Sequence, residues 1–320
     1  MIQTIKRVIG QPEAKAALNE IIEARNFAEK NKRKFSFPTL LFSGLTGTGK
    51  TFLAETFAKL LQHAGFQFLE LPVKTGWREF DKIAEKSCVI DSESGAATAI
   101  PTVFFLDEAH QNSPIEEIVK LITGSKESKL FERNGTKFFH DPSEHIWILA
   151  SNEEIDPAQK RRCIEIPFGQ YNHAEKKALI NLMCEKIIEK DALEYLESRT
   201  KPMAGDIDNL CKRLNLQPVD KIDMRLARTM VQRMGLFPQG LIKKDLLLME
   251  RMSHDKRPTP IEALKAKIGD VKTSATRGRL GWLQALELAE ARKGGYALTN
   301  SGVTYLKKLE QLQKESKRLT

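Results

Sequence analysis

The chain has 320 residues, and no run within it approaches the roughly 18–20 consecutive apolar residues that a bilayer-crossing helix needs. Its opening, Met1-Ile2-Gln3-Thr4-Ile5-Lys6-Arg7, lacks the apolar block of a secretory signal, so a cytoplasmic protein with no membrane partner is expected. Cysteine is scarce. Cys88, Cys163, Cys184 and Cys211 are scattered with no paired CxxC spacing, so neither a zinc site nor a disulfide framework is suggested and reduced packing cysteines are expected. Internal repeats are absent, and nothing in the composition is collagen-like or broadly disordered. What is present is a 41% hydrophobic share, enough for real cores, in a length that suits two or three domains.

Charge is unevenly placed. Residues 221–320 carry 21 Lys+Arg against 10 Asp+Glu, whereas residues 1–220 carry 30 against 32. The positive excess therefore belongs to the last third. Two readings fit: a polyanion docked on the C-terminal part, or a solvated basic surface.

Along the chain, residues 11–32 have helical spacing, with Pro12 in the first turn where a missing N–H costs nothing. Apolar runs follow at 40–42, 66–73, 102–106, 146–150 and 163–167, with a helix at 50–63 after the first. Near-continuous apolar runs alternating with helices predict a parallel sheet covered on both faces. After Asn172 the strands stop and residues 173–236 read as helices, broken at Lys201-Pro202-Met203-Ala204-Gly205. Pro238 and Gly240 mark a second junction. Beyond it come three helices, a Gly294-Gly295 turn with a short strand, and a last helix ending in the basic tail at 314–318.

Between the first strand and its helix stands Gly44-Leu45-Thr46-Gly47-Thr48-Gly49-Lys50-Thr51, with the full spacing of a phosphate-binding P-loop. Glycines Gly44, Gly47 and Gly49 let successive backbone N–H groups turn inward, with Thr48 among them, and the helix N-terminus adds its positive end. Lys50 is expected to reach the β- and γ-phosphates of ATP, and Thr51 to offer its hydroxyl to Mg²⁺. The run Val103-Phe104-Phe105-Leu106 delivers Asp107 and Glu108 to a strand end. Asp107 is expected to hold Mg²⁺, and Glu108 to polarise the attacking water as general base. Asp107-Glu108-Ala109-His110 also spells the signature of another helicase superfamily, whose remaining pattern is not visible. The next strand ends in Ser151-Asn152. Asn152 suits a contact to the γ-phosphate or lytic water, and equally an Asn that opens a turn. Arg161 and Arg162 precede Cys163 and fit either surface charges or a pair inserted into a neighbouring subunit's site.

This order of motifs resembles the AAA+ ATPases, and within them the RuvB-type Holliday-junction branch-migration ATPases, from Val8-Ile9-Gly10-Gln11 to about residue 312. The resemblance implies an α/β fold: an AAA+ P-loop parallel-sheet core (1–170), a helical lid (171–237) and a C-terminal winged-helix DNA-binding domain (238–320). It places Ile9 against adenine, Gly44–Thr51 as Walker A, Asp107-Glu108 as Walker B, Asn152 as sensor 1 and Arg162, beside Arg161, as an arginine finger acting in trans. Such fingers imply a homo-oligomeric ring, usually a hexamer. Gly240–Leu248 and Gly294–Gly302 resemble the start and the wing of the winged helix. Lys272, Arg277 and Arg279 then stand at the start of its recognition helix, although a winged helix can also serve protein contact alone. The positive balance of the last third favours DNA, duplex or branched.

Three departures stand out. Asp206 occupies the place of the family's sensor 2 arginine; either a cation such as Lys212 or Arg213 substitutes, or the coupling of hydrolysis to lid motion is altered. An Asn134-Gly135 hairpin is short where the family has a longer one that meets a junction-recognising partner protein. The variable residues of the P-loop and most of the winged helix differ from the usual family sequence. The functional expectation is an ATP-driven DNA motor, with a helicase loader or initiator acting as a nucleotide switch as the alternative. Trp77 and Arg78, in a loop where ring ATPases place pore residues, fit DNA contact or, for Trp77, a buried anchor.

Overall fold

The computed structural model describes residues 8–72, 76–91, 94, 96–109, 111, 125, 127–133, 135–255 and 257–318. Its contacts form two compact units: Met1–Glu185 with Pro202–Lys212, and Lys186–Lys201 with Arg213–Thr320.

The first unit is built on a five-stranded sheet of β1 (Leu40–Ser43), β2 (Gln67–Leu71), β5 (Thr102–Leu106), β8 (His145–Ser151) and β9 (Ile164–Pro167), in the order β2-β5-β8-β1-β9. Every pairing is parallel. The inner strands are apolar at successive positions because both faces are covered. Leu40, Phe42, Val103, Phe105, Ile146 and Ile148 enter a core with α1 (Pro12–Lys30) and α2 (Lys50–Leu61). Their neighbours Leu41, Phe104, Leu106, Trp147 and Leu149 enter a second core on the other face with α3 (Trp77–Ser87). Two antiparallel hairpins, β3 (Cys88–Ile90) with β4 (Ala97–Ala99) and β6 (Lys129–Arg133) with β7 (Thr136–His140), complete the sheet elements of this unit. The second hairpin pairs Arg133 with Thr136, which leaves a two-residue connection at the expected place; Asn134 lies outside the described residues. His110 lies outside them as well. A short α4 (Pro157–Lys160) precedes β9, and α5 (His173–Met183) follows it, opened by Asn172, whose Oδ1 accepts from Glu175 N.

In the second unit, α6 (Lys190–Ser198) packs on α8 (Met224–Arg233), beside a two-residue parallel ladder of β10 (Ile187–Ile188) and β11 (Lys221–Ile222). The intervening helix α7 (Ala204–Asn215) lies in the first unit over its residues 204–212. Helices α9 (Lys243–His254), α10 (Ile261–Ile268) and α11 (Thr273–Ala285) follow, then an antiparallel hairpin of β12 (Ala289–Arg292) and β13 (Gly295–Leu298), then α12 (Asn300–Arg318). Thr259 and Tyr296 exchange backbone hydrogen bonds of 2.8 and 3.0 Å, which adds a third extended segment to the hairpin. Helix α11 survives Gly278 and Gly281 because Thr276, Leu280 and Leu283 bury one face. Among the described residues no helix is long and apolar enough to cross a membrane.

Candidate nucleotide site

The parallel register brings the carboxyl ends of β1, β5 and β8 to one edge. Ser43 sits level with Ser151, and Leu106 with Leu149. The segments that follow these ends hold Lys50, Asp107 and Asn152.

The P-loop needs glycine for steric reasons that can be read off its neighbours. Gly44 has φ +149°, and a Cβ there would lie 2.5 Å from the Phe168 carbonyl oxygen. Gly49 has φ +92°, and a Cβ would lie 2.8 Å from Tyr171 Oη. Helix α2 begins directly after it, with Lys50 buried in its first turn. Lys50 Nζ donates to the Gly44 and Leu45 carbonyls at 2.7 and 3.0 Å. Burial lowers its pKa, while Asp107 and Glu108 pull the other way by favouring the charged form.

Lys50, Thr51, Asp107 and Glu108 line a single cavity of about 240 Å³, closed on one side by Ala204 and Gly205 of α7. The acidic pair is held in a tight turn. Glu108 N donates to Asp107 Oδ1 at 2.9 Å, and Gln111 N to the Glu108 carbonyl at 2.9 Å. Ala109 N donates to the Ala150 carbonyl at 2.8 Å, which fastens the turn to β8. Glu108 itself has φ 51°, a conformation that costs a non-glycine residue and persists only where its surroundings impose it. Asn152 Nδ2 donates to Thr46 Oγ1 at 2.8 Å, so the end of β8 touches the P-loop. Asn152 Oδ1 is buried with no hydrogen-bond partner among the described residues.

Beside this cavity lies an apolar one of about 510 Å³ that shares Gly49, Phe52, Ala204 and Gly205 with it. Ile9, Tyr171, Leu179 and Leu182 also line it. A polar cavity with a lysine and two carboxylates, continued by an apolar one, has the chemistry of a site for phosphates attached to a flat hydrophobic group.

Other residues singled out in the sequence lie elsewhere. Arg161 and Arg162 follow α4, are exposed, and do not line the phosphate cavity. Arg78 is exposed on the first turn of α3; the side chain of Trp77, which opens that helix, lies outside what is described. In the second unit Lys272 and Arg277 are exposed. Arg279, expected beside them on phosphate, is turned inward instead. Its guanidinium meets Asp245, which is 0% exposed, at 3.1 Å and Asp270 at 3.6 Å, and Lys244 completes the network at 2.7 Å from Asp270. Lys244 and Arg279, with Thr276, hold the Asp270 carboxyl below its ordinary range.

Sequence reasoning placed a nucleotide-sensing segment at Asp206 but missed the main-chain contact that α7 makes. Ala204 N donates to the Gly47 carbonyl at 2.6 Å, so this helix joins the P-loop through the main chain. Of the two cations offered as substitutes for the sensor 2 arginine, Lys212 pairs with Asp208 at 2.6 Å and does not line the phosphate cavity. It stands eight residues beyond Ala204, about 12 Å along the helix axis.

Residues 40–169 match the family described as ATPases associated with various cellular activities (AAA). Among solved structures, a proline-to-glycine variant of RuvB from Thermotoga maritima has a TM-score of 0.74 at 20% identity, covering 95% of this chain and 97% of its own. A second Thermotoga maritima structure, titled RuvB Holliday junction branch migration motor, has a TM-score of 0.70 at 22% identity, covering 93% and 95%. No curated protein matches the chain in sequence. At these identities the likeness speaks for the fold.

Proposed function

Because this chain carries an AAA-family ATPase domain in a protein with the fold of RuvB, we propose that it is an ATP-driven DNA motor of the RuvB type, acting as a ring on duplex or branched DNA. The observation that carries the reading is the single cavity onto which Lys50, Thr51, Asp107 and Glu108 converge. Helix α2 and the P-loop amides bind the β- and γ-phosphates together with Lys50. The Thr51 hydroxyl and Asp107 carboxylate are hard oxygen donors on that same cavity. They suit Mg²⁺, which takes few protein ligands and keeps water and phosphate oxygens for the rest. When bound, the ion neutralises charge on the phosphates. Glu108 orients and deprotonates the attacking water, and Asn152 positions the γ-phosphate or that water. The apolar cavity with Ile9 takes the adenine.

Arg162, with Arg161 beside it, reaches a neighbouring subunit's nucleotide, which is the reason for proposing a homo-oligomeric and hexameric ring. The working parts are the core (1–170), the lid (171–237) and a winged helix (238–320), in which α11 is the recognition helix and β12–β13 the wing. Exposed Lys272 and Arg277, with the 21-to-10 charge balance of residues 221–320, support DNA as the partner; Trp77 and Arg78 are further proposed contacts. A junction-recognising protein would meet the β6–β7 hairpin. We place the protein in the cytoplasm.

The test is the ATPase rate with no DNA, duplex, single strand and four-way junction. Junction or duplex stimulation supports the motor. ATP-dependent delivery of a helicase without DNA-stimulated turnover would favour the loader alternative. Lys50→Ala should abolish ATP binding. Glu108→Gln should keep binding and lose turnover by about 10²–10⁴-fold; normal hydrolysis by it would remove Glu108 from the general-base role.

A further inference from the structure

A loop that cradles phosphate with inward N–H groups must turn its carbonyls outward and give them partners. In this P-loop the Thr48 carbonyl receives two side-chain donors, Gln11 Nε2 at 3.1 Å and Tyr171 Oη at 3.0 Å. Gln11 is 6% exposed and uses the rest of its amide on the loop after β9. Its Nε2 also donates to the Gly169 carbonyl at 2.9 Å, and Gly169 N donates to its Oε1 at 3.0 Å. Its backbone, at φ 51° and ψ 52°, is left-handed, a conformation that a β-carbon makes costly. One buried side chain, in a disfavoured backbone conformation, thus fastens the P-loop to the segment beyond β9. Nothing in α1 alone requires this, because Pro12 already opens the helix.

We propose that Gln11 is a positioning residue for the nucleotide, acting with Tyr171 on the Thr48 carbonyl. The peptide unit that carries this carbonyl also carries the Gly49 N–H. In a trans peptide the two point in opposite directions, so holding the carbonyl outward aims the Gly49 N–H at the phosphate cavity. A side-chain amide suits this position because it supplies two donors to two carbonyls and an acceptor to an N–H at one place. A carboxylate in its position keeps the acceptor, loses both donors and sets an oxygen against the Thr48 and Gly169 carbonyls. The inference rests on the reading of this cavity as an ATP site.

The experiment compares wild type, Gln11→Glu, Tyr171→Phe and the double variant as full-length chains. It measures the Kd for Mg-ATP, and the Tm with and without Mg-ATP. Each single variant should weaken ATP binding by about tenfold and shrink the nucleotide-induced rise in Tm. The double variant should weaken it by less than the product of the two, because both donors serve one carbonyl. Gln11→Glu should regain affinity as pH falls, since the protonated carboxyl again donates. ATP binding by both single variants within about twofold of wild type would overturn the proposal. So would a lowered Tm without nucleotide combined with an unchanged ATP-induced rise, since that is a structural role only. Should Gln11→Glu fail to fold, Tyr171→Phe decides, because it keeps the ring and removes only the donor. Failure of wild type itself to bind ATP would instead strike the ATP reading and is separate from these outcomes.

Discussion

A buried imidazole pair makes the stability of the first unit depend on pH in a way that can be worked out from geometry. His140 ends β7 and His145 opens β8; they are 2% and 1% exposed, and their Nδ1 atoms are 3.4 Å apart. His145 Nε2 lies 3.1 Å from the Ser87 carbonyl, which can only accept, so Nε2 carries the proton. Its Nδ1 is then an acceptor, for Asp141 N at 3.4 Å and for the His140 Nδ1–H. A second proton on His145 would set N–H against N–H. Burial, then the neighbouring imidazole, hold the His140 pKa down to about 3, against a small opposing pull from Asp141. Burial holds His145 at about 4, against the Ser87 carbonyl and Asp141.

An unfolded histidine titrates near 6.5. Between the folded values and 6.5 the unfolded chain binds more protons, so stability is complete above about pH 6.5 and falls as the pH drops toward 3–4. The folded values lie about 3.5 and 2.5 below 6.5, which corresponds to about 5 kcal/mol for His140 and about 3 kcal/mol for His145 when fully expressed, and coupling makes the pair worth less than the sum. By pH 4 each histidine has lost about 3 kcal/mol, so the pair costs about 3–6 kcal/mol, a loss of roughly 6–24 °C in Tm for a unit of this size between pH 7 and pH 4. Asp141, whose carboxyl is held low by Ser143, adds a loss of the same sign at the acid end. The comparison is therefore with His140→Asn/His145→Gln, which keeps amide donors and cannot titrate. Thermal unfolding from pH 7 to pH 4 should cost wild type several degrees more than the double variant, and NMR of the imidazole C–H signals should show neither ring titrating above pH 5. A ring titrating near 6.5 in the folded protein, or equal acid losses in the two proteins, would refute the reasoning. The pair sits at the start of β8, about 20 Å from its nucleotide end, so ATP affinity at pH 7 should be the same in both.

Removing the Ala204 donor is a second perturbation. Proline fits the first position of a helix, so Ala204→Pro should keep α7, free the Gly47 carbonyl and weaken ATP binding by roughly 5–10-fold in a titration, whereas Ala204→Ser should bind normally. Arg162→Ala subunits mixed with wild type should depress ATPase activity more than in proportion; a strictly linear mixing curve counts against a finger working in trans. Arg279→Ala should unfold the second unit more readily, by about 3–5 kcal/mol in denaturant titration, because it strands a fully buried Asp245. Arg277→Ala should leave that stability alone and lower DNA affinity, with a shallower salt dependence.

Much of the first unit was legible because its inner strands β1, β5 and β8 are buried on two faces, which writes them as short, largely apolar runs. The convergence of Lys50, Thr51, Asp107 and Glu108 on one cavity was legible through spacing: a strand, Gly44–Thr51, a helix, then a further strand ending in Asp107-Glu108. Very short elements were not. The Cys88–Ile90 and Ala97–Ala99 hairpin pairs three residues a side, and β10 with β11 only two, too few for any period to register. Arg279 was misplaced because position along a helix does not say which way a long cation turns. Its two carboxylates come from 34 and 9 residues away in the chain, and only packing puts them beside it. Gln11 carried a weak signal, a polar residue directly before a helix-opening proline, but its partners Thr48 and Gly169 could not be paired with it from the sequence.

The absence of an arginine at Asp206 changes how the start of α7 can respond to nucleotide. A sensor arginine reads the γ-phosphate directly, so its pull disappears when that phosphate leaves. Here the tie runs between main-chain atoms, Ala204 N and the Gly47 carbonyl, and it touches the P-loop. Such a tie answers to the shape of the P-loop. Both nucleoside di- and triphosphate impose that shape. If the cavity takes ATP as proposed, residues 204–212 should therefore distinguish empty from filled more sharply than ADP from ATP. Amide exchange across α7 gives the measure. Protection should rise on adding ADP nearly as far as with a non-hydrolysable ATP analogue, and a large further step with the analogue would mean that a cation still reads the γ-phosphate from this helix.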